Sequence, residues 1–275
     1  MSTRTAILTM LACALLAGPL GAAPRELPRP AHVIVIVDEN KAPWQLVGNR
    51  DAPYINALIA RGAFFTDSHG VMHPSLPNYL ALFAGVTNTN GDGCPATGID
   101  PGAPNLASEL HDAHQTFAGY SEGLPHMGFT GCWAGNYARK HAPWVAFSNV
   151  APSQNLSLSA FPSYDKLPTV AFVVPDVEDD MHNGSIGEGD VWLAKWLPPL
   201  LAWAEKHDTL IVLTWDEGFD LHNTIVTVFL GPMVRPGKYP EHIDHVNVLR
   251  TLEDLYRLPH AGRSGQALSI IDCWR

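Results

Sequence analysis

The sequence predicts an α/β fold with a mostly parallel central sheet covered by helices on both faces, and three observations predict it. Short runs rich in β-branched residues at 32–37, 169–174, 209–214 and 225–230 are almost continuously apolar, as strands buried on both faces are. Helical stretches at 54–61, 77–83, 106–113, 189–206 and 246–258 are interspersed with them. Acidic residues gather just after several of the strands, where open α/β sheets collect their functional groups.

The chain starts with Arg4, an apolar run at 6–20 and the small residues Gly21, Ala22 and Ala23. This is the pattern of a secretory signal peptide at 1–23, cleaved after Ala23, so a secreted or periplasmic location is expected. The apolar run continues past Cys13 instead of ending there, which argues against a lipoprotein anchor. No later stretch is apolar for long enough to cross a bilayer, and stable membrane insertion is not expected.

Residues 24–275 suit one large domain better than two small ones. Segments rich in Gly, Pro and Asn at 87–105 and 148–168 read as surface excursions from that domain, because no composition shift marks a boundary. With 17 Lys and Arg against 27 Asp and Glu, the net charge is −10, and loss of Arg4 makes it more acidic. Such a field excludes nonspecific nucleic-acid binding and disfavours broad adsorption to anionic membranes. Three cysteines follow the signal segment, and Cys94 with Cys132 is one of three possible pairings, leaving Cys273 free. The oligomeric state is not set by any pattern in the chain.

The stretch "HGVMHPSLPNYLALFAG" from His69 holds Ser75 between Pro74 and Pro77, after a hydrophobic strand and before an apolar helical run. Pro77 is compatible with a first helical turn, which places Ser75 at or beside the N-cap. Two readings fit: a capping hydroxyl, or a nucleophile whose target's oxygens are held by the free N–H groups of the helix. The strand ends bear on this choice. Asp38, Glu39 and Asn40 follow the first strand; Asp176, Glu178, Asp179, Asp180 and His182 follow the run at 169–174; Asp216 and Glu217 follow that at 209–214. Any one such acid is commonly a cap or a solvated charge. Several sharing one site would repel one another unless protons or a cation neutralised them, and hard oxygen donors suit Ca²⁺, Mg²⁺ or Mn²⁺.

Five blocks in order, "VIVDEN", "HPSLPNYLALFAG", "PDVEDDMHNG", "TWDEG" and "DHVNVLRTLEDLYRLP", resemble the phosphoesterase family of secreted bacterial acid phosphatases and phospholipases C, within the alkaline phosphatase superfamily. The resemblance implies a three-layer α/β/α fold of the alkaline phosphatase type. It further implies Ser75 as nucleophile, Asn78 as a ligand of a phosphate oxygen, and Glu39, Asn40, Asp216 and Glu217 as metal ligands. His182 and His245 match histidines that contact phosphate or a second metal. Lys140 and His141, in "ARKHAPW", match a stretch that could offer positive charge to the substrate. Two departures stand out: Asp38 replaces a residue usually uncharged, and Glu217 stands where two-metal relatives often carry His. More carboxylate and less imidazole moves the expected metal from Zn²⁺ toward Ca²⁺, Mg²⁺ or Mn²⁺.

The expected function is thus a secreted, metal-dependent phosphomonoesterase of the acid phosphatase type, acting on a small phosphate ester or phosphoinositide through a phosphoserine. A phosphodiesterase of the phospholipase C type is the alternative within enzymes. A serine carboxylesterase fits poorly, because Pro74 and Leu76 flank Ser75 in place of a Gly-x-Ser-x-Gly elbow. A non-catalytic exported metal- or anion-binding protein is the alternative from another class.

Overall fold

The computed structural model describes residues 26–275, so the signal-peptide reading at 1–23 lies outside the described residues. In chain order the elements are β1 (His32–Asp38), α1 (Pro43–Leu46), α2 (Pro53–Arg61), β2 (Ala63–His69), α3 (Ser75–Ala84), α4 (Leu106–Asp112) and β3 (Phe117–Ser121). There follow the short hairpin strands β4 (Trp133–Ala134) and β5 (Tyr137–Ala138), then β6 (Asn155–Ser157), β7 (Val170–Val174), α5 (Ile186–Ala204), β8 (Thr209–Trp215), β9 (Thr227–Leu230), β10 (Gly237–Asp244) and α6 (His245–Tyr256).

Eight strands form one sheet in the order β10-β2-β9-β8-β1-β7-β3-β6. Only β9 runs antiparallel to its neighbours β2 and β8, and the other neighbouring pairs are parallel. Alternation along β1 explains the two covered faces. Val33, Val35 and Val37 pack with Leu80 and Phe83 of α3, Leu110 of α4 and Leu249 and Leu252 of α6. Ile34 and Ile36 point the other way, into a cluster with Leu46 of α1, Ile55 and Leu58 of α2, and Leu193, Leu197 and Leu200 of α5. Each such side chain, fully removed from water, contributes about 1.5–3 kcal/mol to folding. The predicted α/β fold with a mostly parallel sheet between helical layers is observed.

Some boundaries differ from expectation. α3 begins at Ser75 with Pro74 as its N-cap, so Ser75 is the first helical residue and makes no capping bond. α5 begins at Ile186, ahead of the predicted 189, because Ser185 accepts from the Glu188 N–H while the Glu188 carboxylate accepts from the Ser185 N–H. β10, at the sheet edge, is charged and carries Pro240, which hides it from a search for apolar runs. β3 contains Gly119, where an added Cβ would lie 2.2 Å from the Trp144 ring; the glycine is there so that the indole can pack on the strand.

Candidate active site

β1 lies between β8 and β7, while its chain continuation passes to β2 on the far side of β8 and β9, so the direction of winding reverses at β1. At such a switch point the loops leave a crevice beyond the carboxyl ends of the strands. Glu39 and Asn40 enter it from β1, Asp216 and Glu217 from β8, Asp180 and His182 from the loop after β7, and Ser75 from the loop after β2.

Ser75 Oγ donates toward Glu39 Oε2 at 3.1 Å and toward Glu217 Oε1 at 3.4 Å, and Ser75 is almost fully buried. Asn40 holds a left-handed backbone conformation (φ 59°), which asparagine tolerates better than most residues. That turn lets its N–H bond Asp216 Oδ1 at 2.9 Å and its side-chain Nδ2 bond Glu39 Oε2 at 2.8 Å. Asp216 Oδ2 and both oxygens of Asp38 are buried without a hydrogen-bond partner among the described residues. Burial, reinforced by neighbouring carboxylates, pushes the Asp38 and Asp216 carboxyls well above the usual range.

His141 lies between Glu39 and Asp180. Its Nε2 is 2.9 Å from Glu39 Oε1, its Nδ1 is 3.0 Å from Asp180 Oδ2, and its ring stacks on Tyr79 at 5.2 Å. Burial alone would lower its pKa, but the two carboxylates lift it to about 10. Reciprocally, His141 holds Glu39 below the ordinary carboxylate value in spite of burial. His141, the expected source of positive charge for a substrate, is therefore a buried imidazolium shared by two acids.

Lys140 Nζ bonds Asp92 Oδ2 at 2.6 Å and His182 Nε2 at 3.1 Å. An ammonium only donates, so His182 Nε2 accepts and its Nδ1 donates to Asn183 Oδ1 at 3.0 Å. Asp92 also takes the Leu76 N–H at 2.9 Å, at the N-terminus of α3. A disulfide between Cys94 and Cys132 ties the Asp92 loop to the hairpin that precedes Lys140, and Cys273 is free and buried.

Two residues expected at the phosphate face inward instead. Asn78 Oδ1 accepts from the N–H groups of Val71 and Met72, and its Nδ2 donates to the carbonyls of Met72 and Pro74, so both ends of its amide hold the loop that presents Ser75. His245 Nε2 lies 2.6 Å from the Asp216 carbonyl, which can only accept; burial lowers its pKa, and the ring braces the Asp216–Glu217 loop from below.

Among the described residues the centre includes Asp180, one of the acids expected after the run at 169–174, and also groups not anticipated from sequence: His73, whose Nδ1 meets Glu217 Oε2, together with Asp92 and Tyr79. His73 stood within a quoted motif, and its place two residues before Ser75 was the signal available. Asn223 joins the loops of Glu217 and Ser75 by accepting from Gly218 N and donating to the Met72 carbonyl. Beside Glu217 and His73 opens a cleft of about 840 Å³ walled by Trp44, Phe219 and Leu221, whose side chains are 71%, 65% and 100% exposed.

This sheet, with a serine at the start of a helix and acids at the strand ends, has an alkaline phosphatase-like fold. Solved structures agree on the fold: a Vibrio parahaemolyticus protein in the alkaline phosphatase superfamily superposes with a TM-score of 0.59 at 13% identity, covering 84% of this chain and 67% of that one. The C-terminal periplasmic domain of EcEptC from Escherichia coli, in complex with Zn, superposes with a TM-score of 0.56 at 10% identity, covering 84% of each. The family model described as "Phosphoesterase family" matches residues 38–259, and the chain belongs to that family. It is 48% identical to a phosphatidylinositol-3-phosphatase of Mycobacterium tuberculosis, over 98% of this chain and 93% of the relative. It is 29% identical to an acid phosphatase of Aspergillus fumigatus, over 78% of this chain but 53% of the relative, so it spans about half the length of that fungal protein. The chain is a hydrolase of phosphate esters.

Proposed function

We propose that residues 24–275 form a single exported domain, a metal-dependent phosphomonoesterase of the acid phosphatase type that works through a phosphoserine at Ser75. The observation that carries this reading is the position of Ser75 Oγ, at the start of α3 and within 3.4 Å of carboxylates from two different strand ends. Glu39, Asn40, Asp216 and Glu217 are suited to hold a divalent cation. All their donors are oxygens, the unpartnered Asp216 Oδ2 is buried among them, and such a set favours Ca²⁺, Mg²⁺ or Mn²⁺ over Zn²⁺. A cation bound there would lower the pKa of the Ser75 hydroxyl and polarise a phosphoryl oxygen.

Ser75 passes its proton to a neighbouring carboxylate as Oγ bonds to phosphorus and the bond to the leaving oxygen breaks. Lys140, backed by His182, faces the charge on the phosphoryl oxygens, and that pair hands a proton to the departing oxygen. A water then attacks the phosphoserine in the reverse geometry, giving a proton back to the Lys140–His182 pair, while the carboxylate returns its proton to Ser75 Oγ as the Oγ–phosphorus bond breaks and phosphate is released. Asn78 and His245 keep the two loops in place throughout. The cleft beside Glu217 receives the leaving group, and its apolar walls suit an ester with a sizeable organic part, a phosphoinositide among them, as the name of the mycobacterial relative suggests.

The test is phosphate release from matched chromogenic mono- and diesters, before and after chelation and re-addition of single metals. Ser75→Ala is expected to lower turnover by at least about 10³-fold in a folded protein. Chelation is expected to abolish activity and one of Ca²⁺, Mg²⁺ or Mn²⁺ to restore it. Activity retained by the variant, or unaffected by chelation, overturns the reading; faster diester cleavage moves the assignment to a phospholipase C type.

A further inference from the structure

On the far side of the Ser75 loop, at the edge pair of the sheet, Asp67, His69 and His242 converge. Asp67 and His69 are alternate residues of β2 and so share a face, and β10 runs beside them with His242 in register with Asp67. A register shift between Tyr239 and His242 sets that alignment. His69 Nε2 lies 2.8 Å from Asp67 Oδ1, His242 Nδ1 lies 3.0 Å from Asp67 Oδ2, and the two rings are 4.8 Å apart. One atom from each of the three residues falls within 4.8 Å of the others.

The tautomer of His69 is set from its other side. Its Nδ1 is 2.7 Å from the His222 carbonyl, which can only accept, so Nδ1 carries the hydrogen. The Nε2 atom then turns toward a carboxylate oxygen, also an acceptor, and that contact needs either an extra proton or a cation between them. An imidazole that donates one N–H to a backbone carbonyl and offers the other nitrogen to a shared point is the arrangement that orients metal-bound histidines. The two N···O spacings, 2.8 and 3.0 Å, are hydrogen-bond lengths a few tenths of an ångström short of the ~3.3 Å edge of a tetrahedron with Zn–N and Zn–O bonds of about 2.0–2.1 Å, so an ion enters by a small outward turn of the exposed His242 ring.

We propose that Asp67, His69 and His242 form an accessory zinc-type site, separate from the all-oxygen centre at Ser75. Two imidazoles and one carboxylate select a borderline transition ion such as Zn²⁺, whereas Ca²⁺ and Mg²⁺ prefer oxygen. The fourth position opens to solvent, because the Asp67 and His242 side chains are 47% and 69% exposed. The site's effect is mechanical: His69 ends the strand that leads into the Ser75 loop, and its Nδ1 holds the loop of His222, which borders the leaving-group cleft. An ion there clamps both to the sheet edge.

The experiment uses tag-free, chelator-stripped full-length protein and Zn²⁺ alone as probe. Bound zinc is counted by equilibrium dialysis, and its ligands are read by X-ray absorption. Wild type is expected to bind one equivalent more than His242→Ala, with imidazole in its ligand shell and a higher melting temperature in zinc. Asp67→Asn is expected to weaken that equivalent at least about 10-fold, the loss that even an outer-shell change brings. Equal stoichiometry in wild type and both variants overturns the proposal and leaves Asp67 as the hydrogen-bond partner of the two histidines only. Because count and ligand type are read independently of turnover, failure here is distinct from failure of the Ser75 mechanism.

Discussion

At the strand ends the fold buries Asp38, Glu39, Asp180, Asp216 and Glu217, while between α4 and α6 it buries Glu109 and Glu253. In the first region other elements deliver opposing groups: His141 to Glu39 and Asp180, His73 to Glu217, and the Asn40 N–H to Asp216. In the second, Glu253 accepts from Ala261 N and Ser264 Oγ, and Glu109 has no hydrogen-bond partner among the described residues. Among the described residues no salt bridge reaches either glutamate, Arg250 and His260 act on Glu253 only from a distance, and burial pushes Glu109 up to about 8 and Glu253 up to about 7. The difference teaches that a buried acid in this fold is held low only where a distant loop brings it a full charge, as His141 does for Glu39, while Asp180, Asp216 and Glu217 are raised by burial in spite of their partners. Asp38, fully buried with both oxygens unpartnered, belongs chemically with the second group although it adjoins the first.

Removing His141 would make the strand-end centre resemble the helical layer, and it carries the largest expected effect on stability. His141→Ala leaves Glu39 and Asp180 without their shared counter-charge, at a cost of about 3–5 kcal/mol for breaking a buried ion pair. Chemical denaturation of chelator-treated protein reads this directly; a loss under about 1 kcal/mol would mean that the carboxylates simply take up protons. Asp92→Asn sharpens the comparison at the mouth of the centre, where a carboxylate holds Lys140 and the Leu76 N–H. Freed of that charge, both donors should bind phosphate better, with KM for a monoester and the inhibition constant of inorganic phosphate falling about 5-fold, or ~1 kcal/mol. An unchanged KM with a lower melting temperature would assign Asp92 to loop anchoring alone.

Much of the first region was legible in the sequence, and the reason is local. β1, β7, β8 and β9 are covered on both faces, so their apolar runs stand out, and the acids that follow them mark the crevice by position. β2 was evident only as a strand before His69, and β3, β6 and β10 escaped because they are short, carry Gly119, or present charge and Pro240 at the edge. The serine and its acids could be named because the chemistry requires those residue types. Their partners could not: the insertion of His141 between Glu39 and Asp180, the reach of Asp92 to the helix terminus, and the inward turn of Asn78 are settled by how distant loops pack. Pairing across 48 residues, as for Lys140 and Asp92, leaves no periodic trace in a single chain.

The smallest expected effect probes the second region, through pH. Glu109 has a folded-state pKa of about 8 against an ordinary 4.5, so between these values the native protein binds protons that the unfolded chain has released. Stability from this group is therefore complete below the unfolded value and is lost as pH rises toward the folded one. Glu109→Gln keeps the shape and removes the titration, so its melting temperature should match wild type near pH 4.5 and exceed it near pH 8. Linkage between those two values sets an upper bound of about 4 kcal/mol, and because water reaches an ionised Glu109 as its surroundings open, the expected gain is on the order of 1 kcal/mol, or about 2–4 °C for a chain of this size. Glu253 lies close enough to raise Glu109 further, so the difference between the two melting curves reads Glu109 together with its repulsion from Glu253. An offset that is constant with pH would show Glu109 to be ionised or neutral throughout, and would place the helical layer beside the strand-end centre as a region whose acids are matched.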